Sequence, residues 1–283
     1  MKSTVFKVGD VTVGGEHTVV IAEAGVNHLK DLALAEKLIS SASAAGVDIV
    51  KFQTYDAGKL TTKKAPRFWS WEGEHIKDGS QYDSYSILAT PERDFTQSLL
   101  DLCKKHSVEF MSTPFDIDSA TMLAEIGCKA FKIASGDITN IPLLRHLAKL
   151  KLPIFLSTGA SSIPEIRHAI GEIEKIADVP ICIMQCTLCY PTRARDVNLS
   201  ALLHLRKEFP GYILGFSDHS IGPVIPAASP LYECKVIEKH YTTDKTLPDS
   251  AYHWLSMDPE EMTMMVDMLR QVEKSVGSGV KSL

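Results

Sequence analysis

Eight short runs rich in Val, Ile and Phe recur along the chain, and they alternate with longer segments of helical periodicity. The runs occupy residues 19–25, 47–53, 108–114, 130–136, 153–159, 180–186, 212–218 and 234–240. Strands that alternate with helices predict a parallel sheet built from βα units. A count of eight favours an α/β fold of the (β/α)8 TIM barrel type over an open doubly wound sheet, which usually has about five to seven strands.

Two segments lie outside this repeat. Residues 4–17 alternate apolar and polar side chains around Gly9 and Asp10, which predicts a β-hairpin packed against one end of the barrel. The connection 54–91 carries Trp69 and Trp71, and loops of this length in compact domains are usually lids or binding loops. Residues 1–283 are therefore interpreted as one catalytic barrel domain.

Composition excludes several classes of protein. The formal net charge is −5 and no Lys/Arg-rich run occurs, which argues against a nucleic-acid partner. There is neither a signal peptide nor an apolar stretch long enough to span a membrane, so we expect a cytoplasmic protein without a membrane partner. Six scattered cysteines fit reduced thiols, and we interpret the pair Cys186 and Cys189 as packing, with a redox or zinc pair as the alternative.

Polar residues collect at the carboxyl ends of the predicted strands, where the active site of such a barrel lies. They are Glu23, Lys51, Gln53, Ser112, Thr113, Lys132, Ser135, Asp137, Ser157, Thr158, Gln185, Thr187, Ser217, Asp218, His219, Glu238 and His240. Each alone could be an ordinary hydrogen-bonded strand end. Several buried charges in one cavity are costly unless they pair with each other or with a charged ligand. The set predicts a polar, anionic substrate, and Lys51 and Lys132 suit a phosphate and a carboxylate.

Two histidines end neighbouring predicted strands. His219 and His240 lie close to Glu23 and Asp218 in this arrangement, which predicts a divalent-metal site with open positions, suited to Mn²⁺, Co²⁺, Fe²⁺ or Mg²⁺. Side chains of a strand alternate between its two faces, so Glu238 shares a face with His240 while Lys239 points outward among the helices. Glu238 is a candidate partner beneath the predicted metal ligand.

The strand-end motifs resemble, in chain order, those of the sialic acid synthase family, which includes N-acetylneuraminate, legionaminate and pseudaminate synthases and spore-coat polysaccharide enzymes. The motifs are IAEAGVNH, VKFQ, STPFD, KIASGD, LSTGAS, QCTLCYPT, GFSDHSIG and IEKHYTTDK, within residues 19–245. The resemblance implies a transferase that condenses phosphoenolpyruvate with the aldehyde of an aldose similar to N-acetylmannosamine. The products would be phosphate and a 3-deoxy-2-ulosonic acid, and members of the family pair as homodimers.

The resemblance also implies roles for single residues. His219 and His240 correspond to metal ligands, with Mn²⁺ as the expected ion and Mg²⁺ or Co²⁺ as alternatives. The expected catalytic residues are Glu23, Lys51, Lys132 and Asp218. The expected substrate-binding residues are Gln53, Thr113, Ser135, Asp137, Ser157, Tyr190, Ser217 and Asp249. In this scheme Lys51 and Lys132 hold phosphoenolpyruvate, and Glu23 handles protons or the water that attacks C2.

Four departures from the family pattern lie on the acceptor side. Asp137 and Gln185 stand where the family usually has Glu and often has His. The family motif GPDH is replaced by PDSAYHW, in which Asp249 is the candidate acceptor-binding Asp and His253 an approximate match. The chain ends at SVGSGVKSL, where the antifreeze-like domain of the family would begin, so we expect that domain to be absent, either naturally or by truncation.

Two other functions remain open at this stage. A barrel lysine at a strand end can form a Schiff base, so an aldolase that uses Lys132 or Lys51 as nucleophile is one alternative. A catalytically weakened barrel with a binding role is the other.

Overall fold

A closed barrel of eight parallel strands forms the body of the protein, which confirms the predicted (β/α)8 fold. The computed structural model describes residues 5–67, 79–90, 92–247, 250, 252–277 and 280–281. The barrel strands are β3 (Val19–Gly25), β4 (Ile49–Thr54), β5 (Glu109–Pro114), β6 (Phe131–Ile133), β7 (Ile154–Ser157), β8 (Ile181–Cys186), β9 (Ile213–Asp218) and β10 (Val236–His240). They follow one another in chain order, and β10 pairs with β3 to close the barrel.

Helices surround the barrel. The outer helices are α1 (Leu32–Ala44), α4 (Arg93–Lys105), α5 (Ile117–Glu125), α6 (Ile141–Lys149), α7 (Ile163–Glu174), α8 (Ala201–Glu208), α9 (Val224–Ala228) and α10 (Pro259–Ser275), and the long connection after β4 adds α2 (Ala57–Leu60) and α3 (Gln81–Leu88). Among the described residues, no helix is long and apolar enough to cross a membrane. All six cysteines are free thiols, and Cys189 is exposed while the others are buried.

The strands are apolar on both faces because one face lines the barrel interior and the other packs under the helices. In β3, Val19 and Ile21 join the interior core, whereas Val20 and Ala22 join the layer beneath the helices. The same alternation continues to the carboxyl ends of the strands, where polar residues replace apolar ones. It therefore decides which of these polar side chains enter the barrel.

The predicted N-terminal hairpin is present and closes the amino end of the barrel. Strands β1 (Phe6–Val8) and β2 (Val11–Val13) pair antiparallel, and Phe6, Val8 and Val13 join the interior core. The rings of Phe6 and Phe155 make an edge contact with centroids 5.9 Å apart. The hairpin thus supports the end of the barrel opposite the polar strand ends.

The long connection after β4 forms a small aromatic cluster with the residue that follows β5. We call Tyr55, Tyr85 and Phe115 the aromatic cluster, because the rings of Tyr85 and Phe115 each make an edge contact with Tyr55 at 5.8 Å. Trp69 and Trp71, which drew attention to this connection, lie outside the described residues. The cluster sits beside the carboxyl end of β4, so it borders the polar strand ends.

Candidate active site

Inward-facing residues of β3, β4 and β10 meet at one level of the barrel. In the strand register His240 pairs with Glu23, and Glu23 pairs with Lys51. All three residues are buried. Adjacent strands therefore bring an imidazole, a carboxylate and an ammonium group together.

Lys51 makes most of the contacts at this level. Its Nζ atom lies 2.6 Å from Glu23 Oε2 and 3.9 Å from Glu238 Oε1, and it donates a hydrogen bond to Thr113 Oγ1 at 3.0 Å. The side chains of Lys51 and Glu23 are each 3% exposed. An ion pair this deeply buried is screened little by salt.

Glu238 connects a second lysine to this pair. Lys132 Nζ and Ser217 Oγ both donate to Glu238 Oε1, at 3.2 and 3.1 Å. We call Glu23, Lys51, Lys132 and Glu238 the buried charge network. The inward placement of Glu238 is confirmed, and strand alternation from His240 was the signal that indicated it.

The two carboxyl groups of the network differ in acidity. Burial raises the pKa of the Glu23 carboxyl above its ordinary value, although Lys51 beside it acts in the opposite direction. Burial also acts to raise the pKa of Glu238, but Lys132 and Lys51 outweigh it and lower that pKa to about 2. A site with two carboxyl groups of unlike pKa can keep one as a fixed anion while the other exchanges a proton.

Hydrogen-bonding groups surround the network. Gln53 Nε2 donates to Glu23 Oε1 at 2.8 Å, and Ser135 Oγ accepts from the Gly159 backbone N–H at 3.0 Å. The Ser157 hydroxyl is buried and makes no hydrogen bond to any described residue. A Cβ atom on Gly159 would lie 2.8 Å from Ser135 Oγ, so only glycine permits this close approach. The carboxyl end of the barrel thus holds polar groups that a ligand could satisfy.

The predicted metal ligands lie side by side. The ring centroids of His219 and His240 are 5.6 Å apart, and His219 Nδ1 lies 2.9 Å from the Thr187 carbonyl oxygen. Burial lowers the pKa of His219 to about 4 and that of His240 well below its ordinary value, so both rings are neutral near pH 7. Neutral imidazole is the form that binds a metal.

The two rings fit a metal as a pair of ligands. His240 Nδ1 is buried without a hydrogen-bond partner among the described residues, which leaves its lone pair or proton unsatisfied. No group of three His, Cys, Asp or Glu side chains within the described part of the chain could hold a metal by itself. Water or substrate oxygen atoms would have to complete the coordination.

Each histidine stacks on a tyrosine. The ring of Tyr190 lies 3.9 Å from that of His219, and the ring of Tyr252 lies 5.1 Å from that of His240 with only 9° between the planes. Tyr190 was a predicted site residue and is 44% exposed. Tyr252 was not predicted, because its contact joins a loop after β10 to a strand end and leaves no periodic signal in the sequence.

Asp218 was predicted to be a catalytic residue inside the barrel, but its side chain points outward. Its carboxylate is 2.7 Å from Lys239 Nζ and accepts hydrogen bonds from the Ser220 N–H and hydroxyl, each at 2.9 Å. Because Ser217 points into the barrel, the next residue of β9 points out toward the helix layer. The structure therefore corrects the placement of Asp218, and it confirms that Lys239 points outward.

The comparison with family models decides the family. Residues 38–281 match the model of the NeuB family. This chain belongs to the NeuB family. The membership confirms the resemblance to sialic acid synthases, and residues of the strand-end motifs form the buried charge network described above.

Relatives of this NeuB family member span most of its length. It is 40% identical over 267 residues to the N,N'-diacetyllegionaminic acid synthase of Legionella pneumophila, covering 93% of this chain and 74% of that protein. The structure of an N-acetylneuraminic acid synthetase from Leptospira borgpetersenii superposes with a TM-score of 0.87 at 32% identity, covering 99% of this chain and 92% of that one. The spore coat protein SpsE of Bacillus subtilis gives a TM-score of 0.83 at 35% identity, covering 99% and 75%.

The residues predicted for the acceptor side lie only partly within the described part of the chain. Asp137 lies in a short 3-10 turn, accepts a hydrogen bond from Asn140 Nδ2 at 3.2 Å, and has a pKa raised by burial. Asp249 lies outside the described residues. His253, the approximate match in the altered motif, is buried, and its Nδ1 atom lies 2.8 Å from Thr242 Oγ1. The loop after β10 is therefore anchored to the strand end.

Proposed function

We propose that this protein condenses phosphoenolpyruvate with an aldose acceptor and consumes one water molecule, forming a sialic-acid-like 3-deoxy-2-ulosonic acid and phosphate. Membership in the NeuB family supports this proposal, as do the names of its relatives, which are synthases of legionaminic and N-acetylneuraminic acids. The observation that carries it is the buried charge network at the carboxyl ends of the barrel strands. Two buried lysines, together with the buried Ser157 hydroxyl that has no partner among the described residues, form an environment for a small, multiply charged anion.

The donor half of the reaction follows from these charges. Lys51 and Lys132 can hold the phosphate and carboxylate groups of phosphoenolpyruvate through charge-assisted hydrogen bonds. The buried Ser157 hydroxyl supplies a further donor that has no protein partner among the described residues. Held at two anionic groups, the enol would present a fixed face to the acceptor, which lowers the entropic barrier to bond formation.

Glu23 is the group best suited to move a proton. Because its pKa is raised, it lies closer to neutral pH than the pKa of an ordinary glutamate. The Glu23 carboxyl contacts both Lys51 and Gln53. A general acid or base works best when its pKa lies near the working pH. We therefore assign proton transfer to Glu23 and a fixed negative charge to Glu238.

The metal remains part of the proposal. His219 and His240 would hold a divalent ion, with Mn²⁺ preferred and Mg²⁺ or Co²⁺ as alternatives. Such an ion would supply Lewis-acid activation of the acceptor aldehyde. We also propose a homodimer and a cytoplasmic location, and an acceptor of the amino-sugar class similar to N-acetylmannosamine.

The alternative function, a Schiff-base aldolase, requires a lysine whose amine is neutral. Both candidate lysines instead lie beside carboxylates, Lys51 at 2.6 Å from Glu23 and Lys132 at 3.2 Å from Glu238. A lysine held by a buried carboxylate is placed to make ion pairs and charge-assisted hydrogen bonds, which favours anion binding over nucleophilic attack.

Phosphate release tests the proposed function against its alternatives. Purified protein is incubated with phosphoenolpyruvate, Mn²⁺ and a panel of aldoses, and phosphate is measured over time. We expect release that depends on one class of acceptor and no attachment of keto acid to the protein on borohydride reduction. Covalent trapping at Lys51 or Lys132 would favour the aldolase, and absence of both activities with every acceptor would favour a binding role.

A further inference from the structure

The two predicted metal ligands are oriented by different means. Metal-bound histidines usually fix their ring through a hydrogen bond from the other nitrogen to a carbonyl or carboxylate oxygen. His219 follows this rule, because its Nδ1 atom contacts the Thr187 carbonyl oxygen. His240 does not, since its Nδ1 atom has no hydrogen-bond partner among the described residues. Some other contact must set the plane of the His240 ring.

Tyr252 covers the ring of His240. The two rings are nearly parallel, 9° apart in plane with centroids 5.1 Å apart, which is an offset-stacked arrangement. Tyr190 approaches His240 only edge-on, at 5.8 Å and 77°. Of the described aromatic residues that contact His240, Tyr252 is thus the one aligned with its ring plane.

The backbone of Tyr252 is itself held on both sides. Its N–H donates to Ser250 Oγ at 3.3 Å, and the Ser256 N–H and hydroxyl both donate to its carbonyl oxygen, at 3.1 and 2.6 Å. Ser250 Oγ in turn donates to Asn27 Oδ1 at 2.7 Å, and Asn27 Nδ2 donates to the Tyr241 carbonyl oxygen at 2.9 Å. These bonds tie the loop after β10 to the loop after β3 and to the end of β10.

Tyr252 also makes an edge contact with the ring of Tyr190 at 6.2 Å, and further contacts lead into the long connection after β4. Tyr252 packs against a buried group made of Val26, Tyr55, Ala57 and Ala89, and Tyr85 and Phe115 pack against the same group. One side chain therefore touches both a predicted metal ligand and the segment that borders the cavity.

We infer that Tyr252 is a positioning residue that sets the ring plane of His240 by stacking and joins the predicted metal site to the connection after β4. The inference rests on the proposed metal role of His240. The phenol ring of Tyr252, rather than its hydroxyl group, positions the His240 ring, because the hydrogen bonds that hold the loop involve the Tyr252 backbone. Loss of the ring should therefore weaken metal binding more than binding of phosphoenolpyruvate.

Equilibrium binding of Mn²⁺, followed by electron paramagnetic resonance of the free ion, tests this inference without requiring turnover. We expect Tyr252→Phe to bind Mn²⁺ within about twofold of the unmodified chain. Tyr252→Leu should bind it about tenfold more weakly, the lower range for loss of a group that orients a metal ligand. Phe115→Leu is the matched control, since it removes an aromatic ring from the same cluster without a ring contact to either histidine.

Kinetics add a second readout. Tyr252→Leu should lower kcat while the KM for phosphoenolpyruvate stays within about twofold, because the ring of Tyr252 contacts Tyr190 and His240 and not the two lysines assigned to the anion. Should Tyr252→Leu fail to fold, Tyr252→Met replaces it, since methionine fills the cluster but cannot stack as a flat ring.

Distinct outcomes separate this inference from the proposed function. Unchanged Mn²⁺ affinity in a folded Leu or Met variant would overturn the positioning role. An equal loss in Phe115→Leu would do the same, because the effect would then belong to the cluster as a whole. An unmodified chain that fails to bind Mn²⁺ would overturn the metal role and this inference together. If it binds Mn²⁺ with the expected variant pattern but turns over no acceptor, the proposed function fails and the positioning role stands.

Discussion

At the scale of single residues, the strongest prediction concerns Lys132. Lys132→Met removes one of the two cations beside Glu238 and leaves that buried carboxylate with a poorer set of partners. Breaking a buried ion pair on one side costs about 3 kcal/mol of unfolding free energy. Loss of one charged hydrogen bond should weaken phosphoenolpyruvate binding about tenfold to hundredfold.

Urea unfolding and calorimetric titration with phosphoenolpyruvate measure these two effects. Lys149→Met on α6 is the control, because Lys149 is exposed and should change neither quantity. Wild-type affinity in a folded Lys132→Met protein would contradict the assignment of Lys132 to the donor site.

His28 predicts a pH dependence of stability. Burial, with a smaller contribution from Lys30, lowers the pKa of His28 from 6.5 to about 4 in the folded protein. Between these pH values the unfolded state binds the proton and the folded state does not, so stability falls as the pH falls from 6.5 toward 4. The shift corresponds to about 3 kcal/mol.

A pH series of urea unfolding curves measures this loss. His28→Asn keeps an acceptor for the Lys30 N–H, which bonds His28 Nδ1 at 3.1 Å, but cannot titrate. Its stability should fall less steeply with acid than that of the unmodified chain. The exposed His168→Asn should keep the original slope, and identical slopes in all three proteins would refute the assignment.

Residue-level prediction from the sequence succeeded where alternation along a strand was followed consistently. Counting back from His240 put Glu238 inside the barrel and Lys239 outside, and both placements are confirmed. The same counting, applied from Ser217, would have put Asp218 outside as well. The sequence shows two polar neighbours at a strand end, and only the side-chain period tells which one enters the cavity.

At the scale of elements, the N-terminal hairpin predicts a separation of stability from activity. Phe6→Ala removes a ring that packs against Phe155 in the interior core, and truncation of a buried Phe typically costs about 3 kcal/mol or more. The hairpin lies at the opposite end of the barrel from the buried charge network. The KM for phosphoenolpyruvate should therefore stay unchanged at temperatures where the variant is folded.

Thermal unfolding and steady-state kinetics on the same preparation test this separation. Val5→Ala, at a position that is 45% exposed, should leave the melting temperature nearly unchanged. A Phe6→Ala variant with native stability would show that the hairpin does not stabilise the barrel. A KM raised several-fold in the folded variant would show that the hairpin also affects substrate binding.

Elements with a regular period were predictable, and the connections between them were not. All eight barrel strands overlap the apolar runs because burial on both faces leaves a strong apolar signal. Helices α2 and α3 within the connection 54–91 are short and were not predicted individually. The contact between Tyr252 and His240 joins a loop to a strand end, and such contacts depend on tertiary packing that no local pattern records.

At the scale of the whole molecule, the two ends of the barrel have different roles: one stabilises the fold and the other holds the candidate site. The amino end is closed by apolar packing with the hairpin, and the carboxyl end holds charges, histidines and tyrosines in a polar cavity. Residues at the carboxyl end come from β3, β4, β6, β9 and β10, so no single segment contains the site. Ordered strand-end motifs could predict this convergence because barrel closure brings all strand ends together.

Formation of the new carbon–carbon bond is the most direct test of the central proposal. The purified chain is incubated with Mn²⁺, an amino-sugar aldose such as N-acetylmannosamine, and phosphoenolpyruvate carrying ¹³C at C3, and the products are followed by NMR. We predict that the label appears in a methylene group bonded to the former aldehyde carbon, with one phosphate released for each product molecule. Phosphate release with all of the label in pyruvate, or no consumption of phosphoenolpyruvate with any acceptor of this class, would contradict the proposal.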